Sequence, residues 1–221
     1  MRVTASLCVD VISDVVCPWC YLGRRRLDEA LARLAAARPE VTYRLRWFPF
    51  FLNPDTPPEG EPYRPFLERK FGGAAEVDAM HARLAEVGAG AGVMFRFERM
   101  TVRPNTLNAH RLVHRAQQEG FVADVLVDAL FKAHFEEGLN VGSPDTLQQI
   151  GLAIGMGDVK AWLAGDDAVE AVRALDRRVR ELGVSGVPMF IFNGQIAVSG
   201  AQPVAVLLDA AMRSLDASPA T

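Results

Sequence analysis

The sequence predicts an α/β fold in which two β-containing segments are separated by a large all-helical insertion. Strand patterns occur only near the two ends of the 221-residue chain. The first segment has the order βαβ, the last has the order ββα, and the stretch between them has almost entirely helical periodicity. We therefore expect one domain formed by residues 1–62 and 184–221, which share a sheet, and an inserted helical domain formed by residues 63–183.

The N-terminal segment begins with a buried strand, because residues 7–13 are mostly apolar. A helix is predicted from about Cys17 to Ala37, with leucines recurring at helical spacing on one face, and Pro39 ends it. Residues 42–48 then alternate between apolar and charged side chains, which indicates a second strand. This order predicts two parallel strands that are joined by a right-handed crossover.

A proline-rich loop at residues 49–62 leads into the helical stretch. The loop is long for a compact domain, so it is either functional or the entry into an insertion. The apolar segment 94–97 has no assigned element. Helices are predicted at residues 64–71, 76–89, 105–119, 121–137, 145–154, 158–164 and 167–182.

Strand character returns only near the C-terminus. Residues 189–192 are apolar and precede Asn193-Gly194, which is the strongest short-range signal for a β-hairpin. Residues 195–199 are the predicted return strand, and residues 204–215 are a predicted closing helix. The βαβ and ββα segments are therefore expected to complete one sheet.

Two cysteines with two residues between them lie where the first strand passes into the first helix. Cys17 and Cys20 enclose Pro18 and Trp19. Unpaired N–H groups and a partial positive charge stabilise an anion in the first turn of a helix. This favours a thiolate at Cys17, the predicted nucleophile, whereas Cys20 lies one turn deeper and is the predicted resolving thiol. Pro18 presets the helical turn, and the uncharged Trp19 predicts a milder oxidant than a cationic neighbour would.

Two other interpretations of this cysteine pair stay open, namely half of a zinc site and two incidental buried cysteines. The chain has three cysteines and four histidines without a second cysteine pair, so we predict no metal site. Cys8 lies within the first strand and is interpreted as a small core residue. The basic run at residues 24–26 is interpreted as the solvated face of a helix.

A second signal, Gly186-Val187-Pro188, lies just before the returning strand. Proline is tolerated at the start of a strand or in a cis turn. An ordinary trans proline is the alternative, but a cis bond is favoured here because the chain also contains the strand–CxxC–helix unit. A cis bond would leave the backbone N–H and C=O of Val187 free to pair with an extended substrate segment beside Cys17.

Charge and composition argue against several classes of protein. The formal net charge is −3, whereas nucleic-acid binders usually have a basic excess. No apolar stretch approaches the roughly 20 residues that a transmembrane helix needs. Asp10 interrupts the N-terminal apolar run before the core of a signal peptide could form. We therefore expect no nucleic-acid partner, no membrane partner and a cytoplasmic location.

Six ordered motifs extend over nearly the whole chain, at residues 13–23, 47–54, 103–106, 109–112, 185–190 and 198–203. The set resembles the DsbA family and in particular its FrnE-like branch. The resemblance implies a thioredoxin fold with a helical insertion, in which residues 1–62 and 184–221 form the thioredoxin-like domain. It also implies that Cys17 is the nucleophile, Cys20 the resolving thiol and Pro188 a cis-proline.

The resemblance further implies that Arg103, Asn105, Thr106 and His110 line the cleft under the active site. The chain departs from DsbA itself, because Trp19 replaces the histidine that DsbA has between its cysteines. Some FrnE-like proteins have a second cysteine pair near the C-terminus. Here no cysteine follows the first pair, so reoxidation would have to come from another molecule.

These observations predict a cytosolic disulfide oxidoreductase or isomerase that acts on protein or small-molecule thiols and disulfides, with an external thiol reductant or oxidant. No cofactor is expected, although glutathione is a candidate co-substrate. One alternative is a glutathione-dependent isomerase or transferase resembling 2-hydroxychromene-2-carboxylate isomerase, which would not need Cys20. The other is a non-enzymatic binding module or chaperone. The sequence leaves the natural substrate, the direction of electron flow and the oligomeric state open.

Overall fold

The structure, a computed structural model, describes residues 5–217, and the strands of its main sheet lie near both ends of the chain. A second, two-stranded sheet pairs residues 61–62 with residues 102–103, so the expectation of strands only near the ends is wrong. The strands of this range are β1 (Ser6–Ser13), β2 (Thr42–Pro49), β3 (Glu61–Pro62), β4 (Val102–Arg103), β5 (Met189–Phe192) and β6 (Ile196–Ser199). The helices are α1 (Pro18–Ala37), α2 (Tyr63–Phe71), α3 (Ala74–Ala89), α4 (Leu107–Glu119), α5 (Ala123–Phe135), α6 (Pro144–Ala153), α7 (Val159–Leu163), α8 (Val169–Glu181) and α9 (Val204–Ala217), with a 3₁₀ turn at Phe97–Arg99. The predicted α/β class is confirmed, and each predicted helix of the insertion has a counterpart among α2–α8.

The main sheet has the strand order β2-β1-β5-β6. β1 and β2 are parallel, with Ser6 opposite Thr42. β5 is antiparallel to β1, with Val9 opposite Phe192, and β6 is antiparallel to β5. The C-terminal segment therefore completes the sheet that the N-terminal segment begins, as the sequence predicts.

The division of the chain into a domain at residues 1–62 and 184–221 and an inserted domain at residues 63–183 stays a prediction. Its outer limits, residues 1 and 221, lie outside the described residues. Within residues 5–217, no helix combines the length and the apolar composition that crossing a membrane requires.

The central strand β1 is buried on both faces near its C-terminal end. Leu7, Val9 and Val11 belong to the main hydrophobic core. Ile12 lies on the other face, in a smaller apolar cluster with Phe50 and two valines, Val179 and Val184. Because successive side chains of a strand point to opposite faces, a strand that is covered on both faces has a nearly continuous apolar sequence, as β1 does.

The expectation that Cys8 is a core residue is wrong. Cys8 is only half-buried, because it alternates with Leu7 and Val9 and so points to the opposite face of the sheet. Its Sγ atom lies 3.8 Å from Nη2 of Arg44 on the neighbouring strand. Asp10 shares this face, and its carboxylate accepts hydrogen bonds from Nε and Nη2 of Arg46.

The basic run at residues 24–26 is not the solvated helix face that the sequence indicated. Arg24 is buried, with Nη2 3.1 Å from Oδ1 of Asp28 and its guanidinium over the ring of Trp47. Arg25 pairs with Asp128 of α5 at 2.8 Å. The prediction failed because this side of α1 faces the helical insertion, which supplies carboxylates that sequence periodicity alone does not reveal.

Tyr21 joins α1 to the helical insertion. Its ring is fully buried, stacks on Phe131 at a centroid distance of 5.0 Å and meets Phe95 edge-on at 6.2 Å. Its hydroxyl donates a hydrogen bond to Oε1 of Glu136 at 2.6 Å. Phe95 belongs to the segment 94–97 that had no assigned element, and that segment therefore contributes to the core through its aromatic rings.

α1 also packs closely against the start of β5, at Gly23. A Cβ atom on Gly23 would lie 2.9 Å from Cγ of Pro188 and 3.1 Å from Cζ of Phe190. These distances are shorter than ordinary van der Waals contacts, so the glycine is required for this close approach.

We predict that Gly23→Ala destabilises the protein by about 1–3 kcal/mol, the usual effect of overpacking a filled core. Gly90→Ala is the matched control, because Gly90 has helical dihedral angles and only one neighbouring atom, at 3.6 Å. Urea unfolding monitored by circular dichroism gives both values. Equal midpoints for the two variants would show that the contact of Gly23 with Pro188 and Phe190 is not tight.

Candidate active site

The backbone between β1 and α1 places Cys17 at the start of the helix. The N–H of Cys17 donates to the carbonyl of Asp14 at 3.0 Å, which closes a turn after the strand. Cys17 is the N-cap residue in an extended conformation, and Pro18 is the first helical residue. The carbonyl of Cys17 accepts hydrogen bonds from the N–H groups of Cys20 and Tyr21. The first turn of α1 therefore holds both cysteines, whose side chains are buried and unpaired by disulfides.

The two thiols have different environments. Burial raises the pKa of Cys20 well above its usual value, and the hydrogen bond and charge of Cys17 raise it further. The side chain of Ser13 and the backbone N–H of Asp14 oppose this effect by stabilising the Cys20 thiolate, but they do not outweigh it. Cys20 therefore stays a protonated thiol near neutral pH and is a hydrogen-bond donor toward Cys17.

The Val187-Pro188 segment lies directly beside the cysteines. The Cys17 thiol donates to the carbonyl oxygen of Val187, with Sγ and O 3.8 Å apart, although the two residues are 170 positions apart in the sequence. The peptide bond between Val187 and Pro188 is cis. Trp19, between the two cysteines, is 39% exposed.

The sequence reasoning missed Asp14, a buried carboxylate next to the two thiols. Its Oδ2 accepts a hydrogen bond from the N–H of Leu52 at 3.0 Å, and its Oδ1 lies 3.2 Å from Nε2 of His110. Phe51 contacts the His110 ring edge-on. The sequence feature that could have identified Asp14 is a charged residue at the end of an apolar strand, immediately before the CxxC turn.

His134 is a second buried histidine of this region. Burial lowers its pKa to about 4, although a hydrogen bond to the Leu139 carbonyl and the charge of Asp14 act in the opposite direction. The ring is therefore neutral at physiological pH. Among the described residues, no group of three or more His, Cys, Asp or Glu side chains could hold a metal ion.

The remaining residues that the resemblance implicated lie around the loop and helix next to Asp14. Asn105 donates from Nδ2 to the Thr56 carbonyl at 2.6 Å, and Thr106 accepts from the N–H of His110 at the start of α4. Arg103 pairs with Glu61. The structure thus connects His110 to the dithiol through Asp14, whereas the contacts of the other three hold the loop at residues 49–62 and the start of α4.

Residues 8–211 match the model of a family that is described as the DSBA-like thioredoxin domain. The crystal structure of a probable DsbA oxidoreductase from Streptomyces coelicolor is 29% identical in sequence and has a TM-score of 0.85. The match covers 96% of this chain and 91% of that chain. An uncharacterized protein from Bacillus subtilis is 26% identical over 198 residues, which are 87% of this chain and 90% of that protein.

The structure of the cytosolic disulfide reductase DsbM from Pseudomonas aeruginosa with GSH is more distant. It is 16% identical, has a TM-score of 0.63, and the match covers 95% of this chain and 96% of that chain. At this identity the likeness is one of fold, and it supports the thioredoxin fold with its helical insertion.

We predict that iodoacetamide alkylates Cys17 of the reduced protein at least about tenfold faster than Cys20 at about pH 7.5, because only a thiolate reacts and the pKa of Cys20 is raised. Peptide mass spectrometry over a time course measures both rates. The same experiment in concentrated guanidinium chloride is the control, in which the two rates should converge. Equal rates in the folded protein would contradict the assignment of Cys20 as the protonated thiol.

We predict that His134 makes the protein less stable in acid. In the unfolded chain, His134 takes up a proton below the ordinary histidine pKa of 6.5, whereas in the folded protein it does so only near pH 4. The contribution of the neutral ring to the free energy of unfolding is therefore complete above about pH 6.5 and is lost as the pH falls toward 4. At pH 5 this loss is about 2 kcal/mol. In urea unfolding at pH 7.5 and 5, His134→Gln should remove most of this difference. His114→Gln, at a half-buried ring, should remove less; an unchanged pH dependence in His134→Gln would refute the prediction.

Proposed function

The chain belongs to the DSBA-like thioredoxin domain family, and on that premise we propose that it is a thiol–disulfide oxidoreductase that acts through Cys17 and Cys20. The observation that carries the proposal is the pair of free thiols in the first turn of α1, one of which faces the Val187 carbonyl. The N-terminal end of a helix favours a thiolate at Cys17, and a thiolate is the form that attacks disulfides.

In the first step, the Cys17 thiolate attacks one sulfur of a substrate disulfide. A bond forms between Cys17 and that sulfur, the substrate S–S bond breaks, and the departing substrate thiolate takes up a proton. The product is a mixed disulfide. Cys20 keeps its proton before this step because its pKa is raised, so the dithiol presents a single nucleophile to the substrate.

In the second step, Cys20 loses its proton and attacks the sulfur of Cys17. The Cys17–Cys20 disulfide forms, and the second substrate sulfur leaves as a thiol. In the mixed disulfide, Cys17 no longer supplies the charge and the hydrogen bond that raise the pKa of Cys20, while the hydrogen-bond donors Ser13 and Asp14 stay in place. The resolving thiol is therefore activated only after the first step has occurred.

An external thiol pair returns the enzyme to the dithiol form. Two glutathione molecules supply the two electrons and two protons, and they leave as one molecule of glutathione disulfide. The likeness of fold to a cytosolic reductase whose structure contains GSH supports glutathione in this role. We place the protein in the FrnE-like branch on the motifs described above. The likeness of fold to a cytosolic reductase supports a place in the cytoplasm, where a resting dithiol is the expected state.

An extended substrate segment would lie across Cys17 and Val187. The backbone carbonyl of Val187 is already within contact distance of the reacting sulfur, and Trp19, two residues along the chain from Cys17, offers exposed apolar surface. Backbone pairing is independent of the substrate side chains, so these contacts suit protein substrates of varied sequence.

We predict that Cys17→Ser reduces insulin disulfides at least about a hundredfold more slowly than wild type, because the nucleophile is lost. Insulin turbidity in the presence of dithiothreitol, corrected for the uncatalysed rate, measures it. Cys8→Ser is the matched control and should retain full activity, because Cys8 lies near the start of β1, whereas the CxxC turn follows the end of β1. Cys20→Ser should accumulate a mixed disulfide that mass spectrometry detects.

Equal activity of Cys17→Ser and wild type would refute the proposal. A glutathione-dependent isomerase, in contrast, would keep its turnover after loss of Cys20, and a chaperone would keep its holdase activity after loss of both thiols. Cys17→Ser, Cys20→Ser and the variant that carries both substitutions therefore separate the oxidoreductase from both alternatives.

A further inference from the structure

A small cavity lies between the end of β1, the end of β2 and helix α4, and no step of the proposed mechanism uses it. Its volume is about 20 Å³, which is enough for one water molecule. Ser13, His110 and His114 supply polar side chains to its wall, and the rest of the wall is mostly apolar. A water molecule in this cavity would therefore find its side-chain partners among a hydroxyl and two imidazole rings.

Ser13 links this cavity to the resolving thiol. Its side chain hydrogen-bonds Cys20, and the residue itself is buried. A hydroxyl group accepts one hydrogen bond while it donates another, so Ser13 can receive a proton from Cys20 and pass its own proton into the cavity. The hydroxyl thus offers the buried thiol a path for its proton that does not pass through bulk water.

His110 has the geometry of an oriented base on the other side of the cavity. Its Nε2 lies 3.2 Å from Oδ1 of Asp14, and Phe51 contacts the ring edge-on. The nitrogen that binds a carboxylate carries the proton of a neutral imidazole, so Nδ1 is the nitrogen that can accept one. Among residues 5–217, Nδ1 has no hydrogen-bond partner. A carboxylate that orients an imidazole and stabilises its protonated form makes the histidine an effective base.

The carboxylates near His110 are already engaged. Both oxygens of Asp14 have partners, one of which is the His110 ring itself. Asp176 of α8 is held by the N–H of Phe51 and by the guanidinium of Arg180. Neither carboxylate is therefore free to take the proton of the resolving thiol, and Asp14 can act only through the imidazole that it holds.

The two other histidines of this region are poorer bases. Burial lowers the pKa of His134 to about 4, and its Nδ1 already faces the carbonyl of Leu139. His114 borders the cavity, but burial lowers its pKa as well, and no carboxylate pairs with it in the described part of the chain. His110 thus differs from both in having a carboxylate that stabilises the imidazolium.

The cavity also adjoins a route to solvent. A wider groove with a volume of about 580 Å³ follows the outer edge of β2. Trp47, Phe48, His114 and Leu175 border both the cavity and this groove. A proton that reaches His110 can therefore be returned to water on the side of the helix that faces away from the substrate.

We infer that His110 takes the proton of Cys20 in the second step, and that the proton passes through the Ser13 hydroxyl and one water molecule in the cavity. Asp14 is the positioning residue that holds the ring. The inference rests on the proposed function, because that function supplies the mixed disulfide that Cys20 attacks.

The atoms and electrons of this step balance without a further reactant. As the sulfur of Cys20 bonds to the sulfur of Cys17, the bond between Cys17 and the substrate sulfur breaks, and its electron pair leaves with the substrate. The proton of Cys20 ends on Nδ1 of His110. The substrate thiolate takes up a proton from solvent, and the imidazolium later returns its own proton to solvent.

Reaction of the reduced protein with a stoichiometric amount of dithiobis(nitrobenzoate) separates the two steps. Attack by Cys17 releases one coloured thionitrobenzoate, and attack by Cys20 on the mixed disulfide releases the second at a rate that does not depend on concentration. Thionitrobenzoate leaves as an anion, so the second phase reports the loss of the Cys20 proton alone. Stopped-flow absorbance measures both phases, and a Cys8→Ser background removes the third free thiol.

His110→Gln should slow the second phase at least about tenfold near neutral pH, because a general base usually contributes that much or more. The first phase, in which Cys20 keeps its proton, should not change. Glutamine also keeps an N–H group for Asp14. The second phase of wild type should lose rate only in acid, where the imidazole is protonated, whereas in His110→Gln it should rise in proportion to hydroxide.

Ser13→Ala should slow the second phase to a similar extent, and the variant with both substitutions should be no slower than His110→Gln, because the two groups act as one relay. His114→Gln is the matched control, since this histidine lies on the same helix and borders the same cavity without a carboxylate partner in the described chain. Both phases of His114→Gln should equal those of wild type.

Equal second-phase rates and pH profiles in wild type and His110→Gln would overturn the inference. A second phase slowed in His114→Gln but not in His110→Gln would assign the proton to the other ring and overturn it as well, and an unchanged second phase in Ser13→Ala would refute the route. Slowing of both phases together in His110→Gln would show a structural role in place of proton transfer. Failure of the proposed function would appear differently, as insulin reduction by Cys17→Ser that equals wild type.

Discussion

The interactions of one buried residue, Asp14, determine how the parts of this protein meet. Its backbone carbonyl fixes the N–H of Cys17 at the start of α1, while its carboxylate binds the N–H of Leu52 and faces His110 of the insertion. A carboxylate with almost no exposure to water is costly unless each oxygen has a partner, and here both do. The end of β1, the cysteine turn, the loop after β2 and helix α4 are therefore held by contacts to a single side chain and its own backbone.

The helix that carries the cysteines is fixed on two sides. Toward the insertion, Tyr21 supplies an aromatic stack and a hydrogen bond to Glu136. Toward the sheet, Gly23 permits the close contact with Pro188 and Phe190. Both residues follow the cysteines within two turns, so these contacts lie close to the two thiols. Because α1 is fixed against both the insertion and the start of β5, Sγ of Cys17 is held close to the carbonyl oxygen of Val187.

The fold and the dithiol could be predicted from the sequence because their signals are local. The helical and strand periodicities, the Asn193-Gly194 turn and the spacing of Cys17 and Cys20 each lie within a few residues. The predictions that failed concerned residues whose surroundings are formed by side chains far away in the sequence. Arg24 is buried under contacts with Trp47 and Asp124, which lie far from it in the sequence. The exposure of Cys8 depends on which face of the sheet a helix covers. The central position of Asp14 is recognisable only when Leu52 and His110 are seen beside it.

The order of the sheet strands has a consequence for how the chain acquires its structure during synthesis. β1 can pair with β2 as soon as both have emerged, but its other edge stays unpaired until β5 has left the ribosome, about 140 residues after the end of β2. Throughout that interval an apolar strand edge and the thiols of Cys17 and Cys20 are exposed together. The insertion helices have mostly local contacts and can form while the sheet waits, so a nascent-chain chaperone has its greatest effect on the N-terminal strand pair rather than on the helical part.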